Sequence, residues 1–270
     1  MQYQVIPPPP SLNRYVKYFW TASINPLSIA QYKLRTMVDD SSGMIFQRRV
    51  NQSAILTKGE LIPKAFLYGQ ITGPTSSECL EEFSCVGVLF HPHTSHELFS
   101  FNSSILTDRM VDSNDIPGMK SLSEAILNTD CTFQAINLMV EYLERLISSV
   151  KGKEVLSRDV ISYIRSHLGL VRVQEIKEYF KISERMLERH FLNQVGVNPR
   201  HFIQVTRFHE VTRRLRMQGN DRLIDIAYDL NFSDQSHFNS LIRKFANCAP
   251  RKLRSSLEKN IVNVFLYSDT

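Results

Sequence analysis

The sequence lacks the features that export, membrane insertion or a disulfide framework would require. Nowhere do about 18 apolar residues run together, which is the length that a membrane-spanning helix needs. Residues 1–10 have neither the basic start nor the apolar stretch of a signal peptide. The four cysteines, Cys79, Cys85, Cys131 and Cys248, form no CxxC pair, which fits a reducing compartment. We therefore expect a protein of the cytoplasm that is not attached to a membrane.

Common catalytic motifs are also missing. The sequence contains no P-loop, no GxGxxG dinucleotide pattern, no GxSxG and no HExxH. We expect neither an enzyme nor a bound cofactor.

Basic charge is concentrated in the C-terminal part of the chain. Residues 151–270 hold 21 Lys and Arg against 13 Asp and Glu, whereas residues 1–150 hold 11 against 14. A basic domain attracts polyanions because it neutralises phosphates and releases their counterions, although a solvated basic surface looks the same in composition. The length of 270 residues suits two domains.

The first half of the chain is predicted to be β-rich. Turn residues such as Thr72-Gly-Pro74 separate short apolar or alternating runs. The predicted strands are Gln31 to Val38, Met44 to Arg49, Ala65 to Ile71 and Cys85 to Phe90. Ahead of them, Leu12, Val16, Phe19 and Trp20 have helix-like spacing and are expected to pack on the sheet.

A helix is predicted from about Phe133 to Ser149, ahead of a short linker at residues 151–153. Its apolar stripe comprises Ile136, Met139, Val140, Leu143, Leu146, Ile147 and Val150. The stripe could cover the sheet of its own domain, or it could meet the same helix of a second subunit, so that the 133–150 helix would form a homodimer.

The remainder of the chain contains two copies of a helix-turn-helix pattern. In the first copy, Ile176, Tyr179 and Phe180 form the apolar face of a short helix, Lys181-Ile182 form the turn, and Ser183 is placed to cap the second helix. That second helix is expected to bury Met186, Leu187, His190 and Phe191 and to expose Arg185, Glu188, Arg189 and Leu192.

The second copy begins at Leu223, with Ile224, Ile226, Ala227 and Leu230 predicted to face inward, a turn at Asn231-Phe232, and Ser233 as the cap. Its second helix is expected to bury Phe238, Leu241, Ile242 and Phe245 and to expose Gln235, Ser236, Asn239, Ser240 and Arg243. A longer helix, about Arg200 to Met217, would connect the copies. If it holds them at a fixed separation, one chain could reach two successive major grooves, about 34 Å apart.

Residues from about Glu154 to Ser256 resemble the DNA-binding domain of AraC/XylS family regulators. The match is carried by Ser183-Glu-Arg-Met-Leu-Glu-Arg-His-Phe191, Gly196-Val-Asn-Pro199, Arg207, Ile226-Ala227, Asn231-Phe-Ser-Asp-Gln-Ser-His-Phe238, Arg243-Lys-Phe245 and Pro250 to Arg254. The resemblance implies a seven-helix domain with two recognition helices, about 184–195 and 234–245, usually in an activator that contacts RNA polymerase.

The resemblance also implies which residues bind DNA. Motif positions carry over to Arg185, Glu188 and Arg189 in the first unit and to Gln235, Ser236, Asn239 and Ser240 in the second. Arginine can pair with guanine or phosphate and amides with adenine, whereas serines suit phosphate contacts. Ser183 and Arg243 complete the predicted DNA-binding set, and a solvated helix face is the alternative for each residue.

The N-terminal half is similar to the cupin-like sensor domain of one branch of these regulators. The similarity lies in Leu12 to Trp20, Gly43-Met-Ile-Phe46, Leu67-Tyr-Gly-Gln70 and Gly87-Val-Leu-Phe90. It implies a small β-barrel; whether the barrel binds an effector stays open, and no ligand-binding residue is assigned. The group His91, His93, His96 and Glu97 resembles the first metal motif of true cupins, but the flanking glycines are missing. Surface or capping histidines are the favoured interpretation.

Together these patterns predict a two-domain α+β protein that regulates transcription. Residues 1–150 would form a β-rich, cupin-like barrel with a helical subdomain, residues 151–260 an all-α domain with two helix-turn-helix units, and residues 261–270 a tail. The expected partners are double-stranded DNA and RNA polymerase, with a small-molecule effector and a homodimer as further candidates. The alternatives are a metal- or small-molecule-binding enzyme of cupin type fused to a DNA-binding domain, and a nonspecific architectural DNA binder.

Overall fold

A computed structural model describes residues 2–24, 32–149, 156–217, 222–259 and 264–268. Within this part of the chain there is no helix long and apolar enough to cross a membrane. The linker predicted at residues 151–153 and the apolar residue Val150 lie outside the described residues.

Two antiparallel sheets form the N-terminal half, as the β-rich prediction requires. The strands are β1 (Gln2–Ile6), β2 (Val16–Ile24), β3 (Tyr32–Thr36), β4 (Gly43–Arg48), β5 (Ile55–Thr57), β6 (Glu60–Leu61), β7 (Ala65–Tyr68), β8 (Thr75–Cys79), β9 (Phe83–Phe90), β10 (Met110–Asp112) and β11 (Val264–Ser268). One sheet has the order β1-β2-β9-β4-β7-β10, and the other has the order β11-β3-β8-β5-β6. The last strand comes from the end of the chain, so the predicted tail pairs with β3.

The helix-like spacing of Val16 and Phe19 was misleading, because both residues lie in strand β2. The register between β2 and β9 shifts between Val16 and Tyr18, as a β-bulge does. An extra residue at Lys17 therefore allows Val16 and Phe19 to be buried together, at 1% and 0% exposure, despite a spacing of three. Only Pro10–Leu12 ahead of the strand forms a short 3₁₀ turn.

Four helices cover one sheet of the N-terminal half: α1 (Thr94–Phe99), α2 (Ser103–Leu106), α3 (Met119–Leu127) and α4 (Thr132–Ser149). Helix α4 is the predicted 133–149 helix, and its residues Ile136, Met139 and Leu143 are buried in the core of its own domain. Val140, Leu146 and Ile147 pack partly buried against that core. The stripe thus covers its own sheet, which was the first of the two alternatives.

The described C-terminal residues form seven helices, the number that the family resemblance implies. They are α5 (Leu156–Ser166), α6 (Val173–Phe180), α7 (Glu184–Gln194), α8 (Pro199–Arg216), α9 (Leu223–Asp229), α10 (Gln235–Ala246) and α11 (Pro250–Lys259). Helix α8 is the predicted connecting helix, and it buries Phe202, Val205, Val211 and Leu215. One end of α8 packs in the core of the first unit and the rest in the core of the second, so a single rigid element carries both.

Candidate nucleic-acid interface

The first helix-turn-helix unit consists of α6, a turn at Lys181 and α7. Lys181 ends α6 in the left-handed conformation, with φ of 53°, and turns the chain into the next helix. Ser183 then caps α7, since its side-chain oxygen accepts a hydrogen bond from the backbone amide of Met186 at 3.2 Å. The fully buried Ile176, Leu187 and Phe191 hold the two helices together. The predicted turn and cap are both present.

The outer face of α7 is polar and free of internal partners. Arg185 and Arg189 are exposed, and within the described residues their side chains make no hydrogen bond or ion pair. Leu192 is 43% exposed beside them, whereas Glu188 is partly buried. The first-turn carboxylate of Glu184 is held by Lys177 at 3.2 Å and Arg200 at 2.9 Å. The two arginines at the centre of the face are therefore available to an external anion.

Three assignments to the apolar faces of the helix-turn-helix units were wrong. Met186 is 39% exposed and Ile224 is 54% exposed. Tyr179, assigned to an apolar face, is 66% exposed and lies against Tyr163, with ring centroids 4.6 Å apart. Each of these helices has a narrow buried stripe, so an apolar residue about 100° from its centre is left at the rim. The structure adds Met186 to the outer face of α7.

The second unit consists of α9, a turn at Asn231 and α10. Asn231 adopts the left-handed conformation, with φ of 53°, and its carbonyl accepts a hydrogen bond from Arg207 Nη2 at 3.1 Å. The Arg207 guanidinium also lies 4.6 Å from the centre of the Phe232 ring, close enough for a cation–π contact. Arg207 of α8 thus fixes the turn of the second unit, and asparagine suits the turn because it tolerates the left-handed conformation better than most other residues.

The cap of α10 differs from the predicted one. Asp234, not Ser233, precedes the helix, and its carboxylate accepts a hydrogen bond from the backbone amide of His237 at 2.8 Å. Ser233 instead donates to the Asp234 carboxylate at 3.1 Å. Since Ser and Asp are both good N-cap residues, sequence could not distinguish two such neighbours.

Helix α10 presents the predicted polar face. Phe238, Leu241, Ile242 and Phe245 are buried. The outward residues are Gln235, Ser236, Ser240 and Arg243, which are exposed, and Asn239, which is partly buried. Their side chains have no hydrogen-bond or ion-pair partner among the described residues. All nine predicted DNA-binding residues therefore belong to α7, α10 or the cap of α7, in two separate groups.

Ion pairs attach the second unit to the connecting helix. The Glu210 carboxylate is 4% exposed and accepts hydrogen bonds from Arg213 at 2.6 Å and from Arg214 at 3.1 Å. The Arg213 hydrogen bond, and then that of Arg214, lower the pKa of Glu210, although burial acts the other way. Arg214 also reaches Asp229 of α9 at 2.7 Å. These contacts hold α9 against α8 and so help to set where α10 lies.

The N-terminal half contacts the C-terminal end of each recognition helix, which sequence reasoning missed. Ser103 donates to the carbonyl of Gln194 at 3.0 Å, and Thr107 donates to that of Gly196 at 2.7 Å. The amide of Val38 donates to the carbonyl of Phe245 at 3.1 Å. These contacts leave the predicted DNA-facing residues uncovered.

The segment after β3 is also part of the second unit's core. Met37 and Val38 are fully buried in the same cluster as Phe238 and Phe245. Next to them, Asp40 is 2% exposed and lies 2.6 Å from Lys17 Nζ and 2.5 Å from Arg165 Nη2. One buried carboxylate therefore binds a lysine of the barrel and an arginine of α5.

The four candidate metal ligands of the His91 to Glu97 segment do not come together. His96 Nδ1 lies 2.7 Å from the carbonyl of Phe101, and His91 Nε2 lies 3.3 Å from that of Asn13. His93 and Glu97 lie 3.5 Å apart, and the rings of His91 and His93 stack with their centroids 6.2 Å apart. In the part of the chain that is described, a different group, Asp39, Asp40 and His209, has ligand atoms within 4.8 Å of one another. Two cations already engage the Asp40 carboxylate there.

Comparisons with known proteins match both halves of the chain. A model of a helix-turn-helix domain matches residues 176–256, and a model of a domain of unknown function (DUF6597) matches residues 4–112. The chain is 22% identical over 213 residues to the HTH-type transcriptional activator RhaS of Mannheimia succiniciproducens, which is 72% of this chain and 79% of that protein. It is 31% identical over 96 residues to RhaS of Escherichia coli O139:H28, which is 35% of this chain and 34% of that protein. A solved structure of ToxT from Vibrio cholerae O395 aligns over 95% of this chain and 100% of that one, with 14% identity and a TM-score of 0.49.

Proposed function

Because the chain belongs to the AraC family of transcription regulators, we propose that it binds specific DNA sites through α7 and α10 together. The observation that supports this most directly is the pair of outer faces, whose exposed polar side chains have no partner within the described residues. Unpaired arginine, amide and hydroxyl groups on a helix that fits the major groove can bind base edges and phosphates.

The two recognition helices have different tasks in this proposal. Arg185 and Arg189 of α7 read guanine or bind phosphate in bidentate fashion, with Glu188 at the edge of the contact. Gln235 and Asn239 of α10 pair with adenine. Ser183, Ser236, Ser240 and Arg243 bind phosphates, which set the register without reading sequence. Helix α8 carries both units, so their base contacts occur at one fixed spacing.

We propose activation as the regulatory outcome, through contact with RNA polymerase. The support is that the curated relatives compared above are named transcriptional activators. A transcriptional activator must reach the chromosome, which in bacteria lies in the cytoplasm, and this agrees with the cytoplasmic location expected from the sequence.

The N-terminal half controls this binding in our proposal, through an effector, a second subunit, or both. Its hydrogen bonds to the ends of α7 and α10 give it a direct influence on where the two helices lie. A homodimer through α4 would use Phe133, which is 73% exposed, together with the partly buried Leu146 and Ile147. Sedimentation at micromolar concentration, with and without DNA, tests the dimer, and a monomer under both conditions would rule it out.

Selection of bound fragments from random and genomic DNA by the full chain, at two salt concentrations, tests the DNA-binding proposal. The expected result is a motif of two short blocks about one helical turn apart, with affinity that falls as salt rises. A double variant of Arg185 and Arg189 should lose one block, and a double variant of Gln235 and Asn239 should lose the other. Weak binding without a motif, equal in both variants, would refute the proposal.

A further inference from the structure

The two helix-turn-helix units differ in the residues that complete their cores. Among the described residues, those that form the apolar core of the first unit all lie between Leu156 and Ile203. The core of the second unit also includes Met37 and Val38 of the N-terminal half, both with 0% exposure. The first unit thus builds its core from its own residues, whereas the second unit shares its core with the N-terminal half.

The backbone of Val38 is attached to two helices of the second unit. Its amide donates a hydrogen bond to the carbonyl of Phe245, in the last turn of α10, at 3.1 Å. Its carbonyl oxygen lies 3.5 Å from Nε2 of His209 on α8. The Phe245 ring also packs on the Phe208 ring of α8, with centroids 5.5 Å apart. Val38 therefore lies where the end of α10 is held against the connecting helix.

The segment from Met37 to Asp40 is also anchored outside the second unit. The side chain of Gln70, in the barrel, donates a hydrogen bond to the carbonyl of Asp40 at 3.1 Å. The Asp40 carboxylate holds Arg165 of α5, in the first unit. Consecutive Cα atoms are 3.8 Å apart, so the attachments to the barrel and to both units lie within about 11 Å of chain. This short segment can therefore hold the end of α10 at a fixed place.

A small displacement at the Phe245 end of α10 is enlarged at the end that would meet DNA. Phe245 and Gln235 are ten residues apart, which is about 15 Å along the helix. A rotation of about 5° about Phe245 would move Gln235 by about 1 Å. Hydrogen bonds from N–H to oxygen measure about 2.7 to 3.2 Å, so such a displacement would break a contact with a base. Recognition by α10 thus depends on how its far end is packed.

We propose that Met37 and Val38 are positioning residues for α10, so that α10 needs them to read its DNA block, whereas α7 reads its block without them. Met37 and Val38 touch no base in this proposal and act through Phe245 and α8. Ser103 and Thr107, by contrast, hydrogen-bond to carbonyls at the end of α7 and are not part of its apolar core. The inference rests on the proposed function, because its DNA readout requires the two-block motif.

Affinities of the full chain for three DNA duplexes test the proposal: the selected motif, the motif with the α10 block replaced, and the motif with the α7 block replaced. Each replacement should weaken binding by the native chain. In Met37→Ala, the weakening caused by replacing the α10 block should be about tenfold smaller than in the native chain, and that caused by replacing the α7 block should be unchanged. A smaller folded fraction lowers all three affinities by the same factor, so these ratios distinguish positioning from stability.

Three further variants sharpen the test. Met37→Leu keeps the apolar volume and should restore the native ratio for the α10 block. Met44→Ala is the matched control, because Met44 is also 0% exposed but belongs to the core of the N-terminal half; it should leave both ratios unchanged. Val38→Ala removes only two methyl groups and should shift the α10 ratio in the same direction by a smaller factor, which keeps the test valid if Met37→Ala does not fold.

Hydrogen exchange of the full chain without DNA distinguishes failure of this proposal from failure of the proposed function. Met37→Ala should speed exchange of the α10 amides about tenfold or more relative to those of α7, and Met44→Ala should not. The positioning proposal is overturned if the amides of both helices respond equally, or if Met37→Ala and Val38→Ala keep the native ratio for the α10 block. Selectively faster exchange in α10, in a protein whose native form selects no DNA motif, would refute the proposed function alone.

Discussion

Replacement of Asp40 by Asn tests whether one buried carboxylate joins the two halves of the protein. Asp40 lies in the turn between β3 and β4, and its two oxygens contact Lys17 of the barrel and Arg165 of α5. Asparagine has nearly the same shape but no charge. The substitution therefore leaves two partly buried cations without their shared counter-ion.

The expected cost follows from the exposure of the three side chains. Loss of one partner from a buried ion pair costs about 3 to 5 kcal/mol. Lys17 and Arg165 keep 21% and 33% exposure, so water can solvate them in the variant and the cost should lie near the lower end. We expect Asp40→Asn to reduce the free energy of unfolding by about 3 kcal/mol at neutral pH.

The effect should depend on pH in a defined direction. Burial alone would raise the pKa of Asp40, but the charges of Lys17 and Arg165 outweigh it and hold this pKa well below its usual range. Because the pKa of Asp40 is lower in the folded state than in the unfolded state, where it is about 3.9, the ionised carboxylate stabilises the fold at any pH above about 3.9. This stabilisation is lost as the pH falls toward the pKa of the folded state. The difference in the free energy of unfolding between the native chain and Asp40→Asn should therefore be constant from about pH 5 to pH 7 and should shrink below about pH 4.

Urea unfolding followed by circular dichroism and by Trp20 fluorescence measures the difference. A loss of about 3 kcal/mol should lower the urea midpoint by roughly 1 M. Asp39→Asn is the matched control, because among the described residues His209, at 4.0 Å, is the only ion-pair partner of the Asp39 carboxylate, and the substitution should change stability by less than about 1 kcal/mol. Equal midpoints for the two variants, or a difference that persists unchanged at low pH, would refute the assignment of Asp40.

Four further predictions concern single positions. Gly196→Ala should lower the free energy of unfolding by about 1 to 3 kcal/mol, because φ there is +96° and a Cβ would lie 2.7 Å from Thr107 Oγ1 and 2.9 Å from the Ser103 carbonyl oxygen. Gly118→Ala is the control for backbone strain alone, because φ there is +76° and a Cβ would have nothing within 4 Å. Equal urea midpoints for the two variants would exclude an effect of the close contact at Gly196. Asp234→Ala should lower stability by about 1 kcal/mol through loss of the α10 cap, whereas Ser233→Ala should change the thermal midpoint little; a larger loss at Ser233 would show that the serine is the cap. Arg189→Ala should weaken DNA binding by about 1 to 3 kcal/mol and relax the preference at one base pair in a competition assay; unchanged affinity and preference would remove Arg189 from the interface. If the exposed Met186 contacts a thymine methyl group, replacement of that thymine by uracil should weaken DNA binding by the native chain by about 1 kcal/mol. The same replacement should not weaken DNA binding by Met186→Ala. Equal losses of binding free energy in the two proteins would exclude the contact.

The helix-turn-helix units were predictable from sequence because they depend on local signals. Ser183 is followed by a helix with buried residues at Leu187 and Phe191, and the same spacing recurs at Phe238 and Ile242. Caps, turns and a period of 3.6 residues act within about one turn of the chain, so they can be recognised without a tertiary model. Errors occurred where two local signals were equivalent, as at Ser233 and Asp234, or where a residue lay at the rim of an apolar face, as Met186 does.

The β-rich half was less predictable because the order of its strands depends on distant pairings. The bulge at Lys17 gave strand β2 a spacing that resembles a helix, and only pairing with β9 shows that it is a strand. In the same way, nothing near Val264–Ser268 indicates that this segment pairs with β3. Strand order and register are set by contacts that are far apart in sequence.

By itself, the sequence determined the two helix-turn-helix units, the polar faces of α7 and α10, and the basic character of the half that contains them, because each is a property of residues close together in the chain. Only the tertiary structure decided that Met37 and Val38 complete the core of the second unit, that Asp40 bridges Lys17 and Arg165, and that Arg216 faces Tyr18 and Leu89 across a cavity. Most of the partners in those contacts are far apart in the chain: Asp40 and Arg165, for example, are separated by 125 residues. Folding brings them together, and no local pattern of residues records that they meet.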